Sequence, residues 1–243
     1  SWDSPALPPL GLHGDPDPGY LDALATARAK TGLDEAVLTG EARLGGRRVA
    51  IVMCEFGFLA GSIGVAAAER LTLAIERATA EELPLFAAPI SGGTRMQEGT
   101  VAFLQMVKIA AAVTAHKAAG LPYVVYLRHP TTGGVLASWG SLGHVTAAEP
   151  GALIGFLGPR VYEALYGEAF PEGVQTAENL AARGLLDAVV SPEVLRDVAI
   201  DALRVLAAPR EAPPPMPDLP REPLRDVPAW ESIRRSRRPE RPG

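Results

Sequence analysis

Short apolar runs alternate along the chain with longer stretches in which apolar residues recur every three to four positions. The first two runs flank a glycine pair at positions 45 and 46 and predict a hairpin of two strands, Val37–Arg43 and Arg47–Met53. Further strands are predicted at Pro84–Ile90, Pro122–Leu127, Ala152–Phe156 and Leu186–Val190. Helices are predicted at Ser62–Leu83 (with Ser62 as N-cap), Gln97–Ala119, Val135–Leu142 and Val194–Ala207. This alternation predicts an α/β fold with a largely parallel sheet and a ligand site at the carboxyl ends of its strands.

Prolines cluster at the two ends of the chain. Proline-rich segments favour extended, semi-rigid conformations and are typical of linkers. We therefore expect a proline-rich N-terminal extension over 1–18, a folded body over 19–208 and a proline-rich linker over 209–243.

Composition narrows the classes of function. The net charge of −5 argues against a nucleic-acid partner, which would favour a basic surface. The only cysteine, Cys54, lies in an apolar run and is expected to be a buried thiol. Because one cysteine cannot form a four-cysteine zinc ribbon, no metal is expected. No run of 18 apolar residues and no secretory pattern is seen, so we expect no membrane span and a cytoplasmic location.

Two glycine-rich loops are the strongest candidates for chemistry. Ser91–Gly99 (SGGTRMQEG) and Pro130–Ser138 (PTTGGVLAS) each follow a predicted strand and precede a predicted helix. A glycine pair at such a position can present backbone N–H groups to a ligand at close range, and two N–H groups aimed at one point would stabilise an oxyanion. The alternative is that both segments are ordinary strand-to-helix turns, and spacing alone leaves both interpretations open.

Other chemistries find little support. The chain has no phosphate-binding P-loop motif, no dinucleotide-binding glycine spacing and no G-x-S-x-G nucleophile elbow. Its four histidines are scattered without metal-ligand spacing, and only His129 borders a glycine loop.

The glycine loops also resemble a known family. Ser91–Glu98 is similar to the S-G-G-A-R-M-Q-E motif of acetyl-CoA carboxylase β subunits, and His129–Ser138 to their D-P-T-x-G-G-V-x-A-S. Ala148–Val161 is similar to their A-E-P-x-A-L-I-G-F-A-G-P-R-V, and Lys30–Ala36 and Phe58–Gly64 also match. The resemblance covers roughly residues 20–206. It implies a crotonase (ClpP/crotonase-like) fold, a spiral of β-β-α units.

The resemblance implies carboxyl transfer from carboxybiotin to acetyl-CoA, or to a short acyl-CoA, which forms malonyl-CoA from acetyl-CoA. It points to the backbone N–H groups of Gly133 and Gly134 as the first choice for the oxyanion site, followed by those of Gly92 and Gly93. It assigns Arg95 to a CoA phosphate. The other expected substrate-binding residues are Ser91, Thr94 and Arg160. Biotin would be carried on a partner protein, and no side-chain base is assigned.

Two departures from the family pattern bear on the partners. The N-terminal zinc ribbon of many β subunits is missing, and 227–243 resembles the opening segment of the α subunit's catalytic part. Together they suggest the β half of a fused β–α carboxyltransferase of the actinobacterial type, inactive without its α-type domain. The implied partners are that domain, a biotin carboxyl carrier protein and further copies of the full-length chain. The alternatives are a biotin-independent malonyl-thioester decarboxylase subunit and a non-catalytic acyl-CoA-binding or assembly module.

Overall fold

The computed structural model describes residues 1–11, 15–208 and 228–238. The chain divides into two units, Ser1–Ala208 and Pro209–Gly243. The strands are β1 (Val37–Leu44), β2 (Arg47–Cys54), β3 (Leu85–Ala88), β4 (Tyr123–Leu127), β5 (Thr131–Thr132), β6 (Val145–Ala148), β7 (Ile154–Gly155) and β8 (Ala188–Val189). The helices of the first unit are α1 (Pro18–Thr31), α2 (Val65–Ala80), α3 (Gly99–Ala118), α4 (Gly133–Ala137), α5 (Pro159–Tyr166), α6 (Ala177–Ala182) and α7 (Pro192–Leu206), and the second unit contains α8 (Ala229–Ser236).

The main sheet has the order β1-β2-β3-β4-β6-β8. β1 and β2 form the predicted antiparallel hairpin, in which Leu44 pairs with Arg47 across the turn, and every later neighbour in the sheet is parallel. Gly45 and Gly46 have φ angles of 55° and 82°, which a two-residue hairpin turn of this kind requires. The predicted parallel α/β architecture is confirmed.

Side chains alternate between the two faces of this sheet, as the period of a β-strand requires. In β4, Tyr123, Val125 and Leu127 join the larger hydrophobic core, whereas Val124 and Tyr126 join a second one. Helices α2 and α3 cover the first face, and α7 covers the second. Both faces are buried, which explains why the strands are continuous apolar runs in the sequence.

A second, much smaller sheet lies beyond the carboxyl ends of the main strands. β5 pairs in parallel with β7, and isolated bridges join Ile63 to Thr94 and Ser91 to Thr131. A main-sheet strand, a short bridging segment and a helix thus recur along the chain. The sequence did not predict β5, β6, the helices α1, α5, α6 and α8, or the bridges.

Two boundary predictions are wrong. Helix α2 begins at Val65 with Gly64 as its N-cap, and Ser62 instead donates its hydroxyl to the carbonyl oxygen of Leu59 at 2.7 Å. The first residues of the chain do not form a free linker. The N–H of Trp2 donates to the carbonyl oxygen of Thr39 in β1 at 2.9 Å, and the guanidinium of Arg77 stacks 4.3 Å from the Trp2 ring.

Helix α3 has an unusual composition. Within the described residues, the stretch Met96–Ala118 is long and apolar enough, with a mean hydropathy of 1.2, to cross a bilayer on those criteria alone. The stretch contains no unbroken run of 18 apolar residues, so the sequence criterion predicts no span there. Core helices pass the same test, and α3 buries Met106, Ile109 and Val113 in the larger core.

Candidate functional site

Three loops lie side by side at the carboxyl ends of β2, β3 and β4. We call them loop A (58–62), loop B (91–95) and loop C (130–134). Loop B lies between the other two and forms a hydrogen bond with each. The N–H of Gly92 donates to the carbonyl oxygen of Ala60 in loop A at 2.9 Å. The N–H of Thr132 in loop C donates to the carbonyl oxygen of Ser91 at 2.9 Å. The structure thus brings together the two glycine pairs that the sequence singled out, and adds loop A to them.

Loops B and C approach each other closely at Gly93. Gly93 has a φ of 109°, which side chains with a Cβ rarely adopt, and a methyl group on it would lie 3.3 Å from the carbonyl oxygen of Thr132 and 3.5 Å from the backbone nitrogen of Gly134. The backbone conformation at this contact therefore favours glycine.

The N–H groups of loop B are already engaged. Gly92 donates to the carbonyl oxygen of Ala60, and Gly93 donates to the hydroxyl oxygen of Ser91 at 3.0 Å. Ser91 is fully buried and donates its hydroxyl to the carbonyl oxygen of Gly61 at 2.6 Å. The predicted oxyanion roles of Gly92 and Gly93 and the predicted substrate contact of Ser91 are therefore corrected, because these groups hold the loops together.

Loop C leaves one glycine N–H available. Gly133 donates to the carbonyl oxygen of Phe156 at 3.1 Å, so its first-choice oxyanion role is also corrected. The N–H of Gly134 has no hydrogen-bond partner among the described residues. Thr94, which is half-buried, lies next to it: a methyl group on Gly134 would come within 2.8 Å of the Thr94 hydroxyl oxygen. Of the predicted site residues, Gly134 and Thr94 lie together at the contact between loops B and C, and their roles stay predictions.

Arg95 does not face the site. Its side chain is 1% exposed, and its guanidinium donates to both carboxylate oxygens of Glu35 at 2.5 and 2.9 Å and to the carbonyl oxygen of Ser62 at 2.8 Å. Glu98 lies 3.5 Å from the same guanidinium. The predicted contact with a CoA phosphate is wrong, since buried carboxylates occupy the donors that a phosphate would need.

Three further candidate residues lie outside loops A, B and C along the chain. Arg160 lies in α5, but its side chain is outside the described structure, so its role in substrate binding stays a prediction. His129 is exposed, and its Nδ1 accepts the N–H of Leu153 at 3.0 Å. Cys54 is buried, as predicted, and burial raises the pKa of its thiol to about 12. Over residues 1–11, 15–208 and 228–238, no three His, Cys, Asp or Glu side chains lie close enough together to hold a metal ion.

One functional element was missed by the sequence analysis. Leu59, Ala60 and Gly61 in loop A have φ angles of 47°, 57° and 62°, and the first two are not glycine. Such backbone is strained and is concentrated at functional sites. The sequence signals were Gly61 within this segment and Gly57 just before it, and the stretch Phe58–Gly64 entered the prediction only through the family resemblance.

A twisted parallel sheet, a second short sheet beyond its strand ends and stacked backbone loops at that edge define a crotonase-type fold. Comparison with known proteins supports this. A transcarboxylase 12S structure with hydrolysed methylmalonyl-coenzyme A bound matches with a TM-score of 0.62 at 22% identity, over 74% of this chain and 37% of that one. A Pseudomonas malonate decarboxylase MdcD–MdcE heterodimer matches with a TM-score of 0.63 at 24% identity, over 88% of this chain and 93% of that one.

The sequence comparisons identify the family. The carboxyl transferase domain family matches residues 19–180. A probable biotin-dependent acyl-coenzyme A carboxylase beta3 subunit of Mycobacterium tuberculosis is 65% identical over all of this chain and 48% of its own length. The acetyl-coenzyme A carboxylase carboxyl transferase subunit beta of Carboxydothermus hydrogenoformans is 47% identical over 74% of this chain and 65% of its own. The chain belongs to the carboxyl transferase family, and it spans about half the length of the mycobacterial relative.

Proposed function

We propose that this chain forms the acyl-CoA half of a biotin-dependent carboxyltransferase. In this reaction a carboxyl group passes from carboxybiotin to the α-carbon of acetyl-CoA, or of another short acyl-CoA. The observation that carries the proposal is the unpaired N–H of Gly134 at the contact between loops B and C. Membership of the carboxyl transferase family and the similarity to a carboxylase β subunit support it.

Gly134 would act on the carbonyl oxygen of the thioester. As the α-proton leaves, negative charge develops on that oxygen, and a fixed N–H directed at it stabilises the enolate more than the ground state. The donor needs little reorganisation, because Gly133 before it donates to the carbonyl oxygen of Phe156, and the carbonyl oxygen of Gly134 itself accepts the Ser138 hydroxyl at 2.6 Å. Removing one donor of this kind typically costs about 2.7–4 kcal/mol of transition-state stabilisation.

Thr94 is the side chain that we place beside the thioester. Its hydroxyl lies next to Gly134 and forms no hydrogen bond within the described structure. It would limit the space around the carbonyl group. Carboxybiotin, carried on a partner, would give up its carboxyl group as CO2, and the biotin nitrogen left behind would take up the α-proton. The α-carbon would then form its new bond to CO2, and no side chain of this chain is assigned as a base.

The partners are proposed on the same basis. The mycobacterial relative is about twice as long as this chain, which is consistent with an α-type domain that completes the site. Large apolar side chains on the body are exposed within the part of the chain that the structure describes: Phe103 and Leu104 are each 56% exposed, Val107 68% and Leu165 67%. Such residues are typical of surfaces that contact further protein. We propose the α-type domain, a biotin carboxyl carrier protein and further copies of the full-length chain as partners, in a cytoplasmic enzyme.

The proposal is tested by measuring carboxyl transfer with this chain alone and with an α-type partner added, using carboxylated biotin carrier and acetyl-CoA or propionyl-CoA. We expect transfer only when the partner is present, and the ratio of kcat/KM for the two thioesters then defines the acyl preference. CoA binding without transfer in either mixture would favour a non-catalytic binding module.

A further inference from the structure

A buried network of charged and polar side chains lies behind the loops, and none of its residues has been assigned a part in the proposed reaction so far. It consists of Tyr20 in α1, Glu35 before β1, Arg95 at the end of loop B and Glu98 just before α3. These residues are 3%, 2%, 1% and 2% exposed. We call this set the Arg95 network. Charged groups are rarely buried to this extent, and when they are, each must be paired.

Arg95 connects the network to loop A. Its guanidinium donates to the carbonyl oxygen of Ser62 at 2.8 Å and lies 5.7 Å from the centre of the Phe58 ring. These two residues bracket Leu59 and Ala60, whose left-handed backbone is unfavourable for side chains with a Cβ. Strained backbone of this kind persists only where its surroundings hold it, and Arg95 holds both ends of it.

Glu98 connects the network to the helices that follow loops A and B. One carboxylate oxygen accepts the N–H of Val65, the first residue of α2, at 2.6 Å, and the other accepts the hydroxyl of Tyr20 at 2.5 Å. Glu98 itself immediately precedes α3. A single carboxylate therefore fixes the starts of α2 and α3 relative to each other, at a helix end where a negative charge is stabilised.

The network reaches the candidate site through backbone hydrogen bonds. Ile63 donates to the carbonyl oxygen of Gly93 at 2.9 Å, and Arg95 donates its N–H to the carbonyl oxygen of Ile63 at 3.0 Å. Gly93 lies beside Gly134, since a methyl group on Gly93 would come within 3.5 Å of the Gly134 backbone nitrogen. An unbroken series of contacts thus runs from the network through loops A and B to the available N–H group.

We propose that the Arg95 network positions loops A and B for catalysis, and that the Tyr20 hydroxyl is the part of it that can be removed without leaving a buried charge unpaired. The proposal rests on the proposed function for its kinetic consequence. No atom of the network touches the thioester, so its loss should lower kcat and leave the affinity for acyl-CoA nearly unchanged.

The test compares Tyr20→Phe with Tyr126→Phe in the full-length protein assembled with its biotinylated partner. Tyr126 is a matched control, because it is also 3% exposed and its hydroxyl also makes a buried hydrogen bond, to the carbonyl oxygen of Val190 at 2.9 Å, on the opposite face of the sheet. We expect Tyr20→Phe to lower kcat about tenfold with KM changed by less than about twofold. We expect the two variants to lower the melting temperature by similar amounts. We expect Tyr126→Phe to leave kcat within about twofold of the wild-type value.

Hydrogen exchange provides a readout that does not depend on turnover. In Tyr20→Phe, amides of residues 58–62 and 91–95 should exchange faster than in the wild type, whereas in Tyr126→Phe they should not. Unchanged exchange in these loops, or an equal loss of kcat in the two variants, overturns the proposal. If the wild type transfers no carboxyl group, the proposed function fails, and the exchange comparison still decides the positioning role.

Glu98→Gln is the second variant, to be used if Tyr20→Phe does not fold. It keeps an oxygen that can accept the N–H of Val65 but removes the charge that faces Arg95. The same pattern of faster exchange in loops A and B with lowered kcat is expected, and a folded variant with wild-type kcat overturns the proposal.

Discussion

Replacing Gly134 by proline removes the one glycine N–H that the structure leaves available at the loop contact. Gly134 is the second residue of α4, where proline is tolerated because no intrahelical hydrogen bond uses that N–H. Its φ is not in the left-handed region, unlike the φ of 62° at Gly133. The backbone of residue 134 is therefore compatible with a side chain, and the fold should survive the change.

The magnitude follows from what each variant removes. Gly134→Ala keeps the N–H and adds one methyl group, which meets the Thr94 hydroxyl at 2.8 Å and Met106 Cγ at 3.3 Å, both on side chains that can shift. Gly134→Pro adds the same Cβ and two further ring carbons, of which Cδ takes the place of the N–H hydrogen, so the donor is removed. If the N–H stabilises the enolate oxygen, the proline variant should lose a further factor of about 10²–10³ in kcat relative to the alanine variant.

The assay is steady-state carboxyl transfer by the full-length enzyme, with thermal unfolding of each variant measured in parallel. A Thr94→Ala background serves as a control for crowding, because it removes the nearest atom to the new methyl group. Equal kcat values for the alanine and proline variants, with both proteins folded, would refute the assignment of Gly134 as a donor.

Four further predictions follow from the same structure. Arg95→Ala should destabilise the protein by about 3–5 kcal/mol in denaturant unfolding, because it leaves buried carboxylates unpaired. A variant with unchanged stability but weakened CoA binding would contradict this prediction. Gly133→Ala should cost about 1–2 kcal/mol of stability, since its φ is 62° and the substituted residue must adopt a left-handed conformation, whereas unchanged unfolding would show that the loop relaxes. Cys54 should not react with a thiol reagent at pH 8 until the protein unfolds, as its pKa is raised to about 12, and rapid labelling of the native protein would contradict its burial. Burial lowers the pKa of His116 below its usual value, so the unfolded chain takes up a proton more readily than the folded one. The stability of the fold should therefore fall as the pH drops below about 6.5. Thermal unfolding at pH 5.5 and 7.5 should show a weaker dependence on pH for His116→Asn than for the wild type.

The elements with long periodic patterns were predictable from the sequence. The hairpin of β1 and β2 and the helices α2, α3 and α7 were found to within a few residues, because their apolar positions repeat along eight or more residues. The second sheet could not be found in this way. β5 and β7 have two residues each, and the other pairings are single bridges, which are too short to show any period.

The site was predictable in its location but not in its chemistry. Glycine pairs after strands indicated where backbones approach each other, yet which N–H stays free depends on acceptors such as Ala60 and Phe156, which lie far away in sequence. Arg95 shows the same limit. An arginine beside a glycine loop is typical of an anion site, and its acidic partner Glu35 is 60 positions away along the chain.

The N-terminal residues show that composition can mislead about contacts. Prolines in 1–18 favoured a linker, but Trp2 and Asp3 form hydrogen bonds with Thr39 along the free edge of β1. The Trp2 bond uses backbone groups that every residue carries, and Asp3 accepts the N–H of Thr39 through its side-chain carboxylate, so neither contact follows from a periodic side-chain pattern.

The central claim is that the loops of this chain hold an acyl-CoA that receives a carboxyl group from biotin. Its most direct test follows a labelled carboxyl group from a carboxylated biotin carrier to acetyl-CoA in the complete enzyme, with and without avidin to block the biotin. We expect labelled malonyl-CoA to form, avidin to abolish it, and Gly134→Pro to reduce it at least a hundredfold relative to Gly134→Ala. Release of CO2 from malonyl thioesters that is insensitive to avidin, with no labelled malonyl-CoA formed, would contradict the account and favour a biotin-independent decarboxylase.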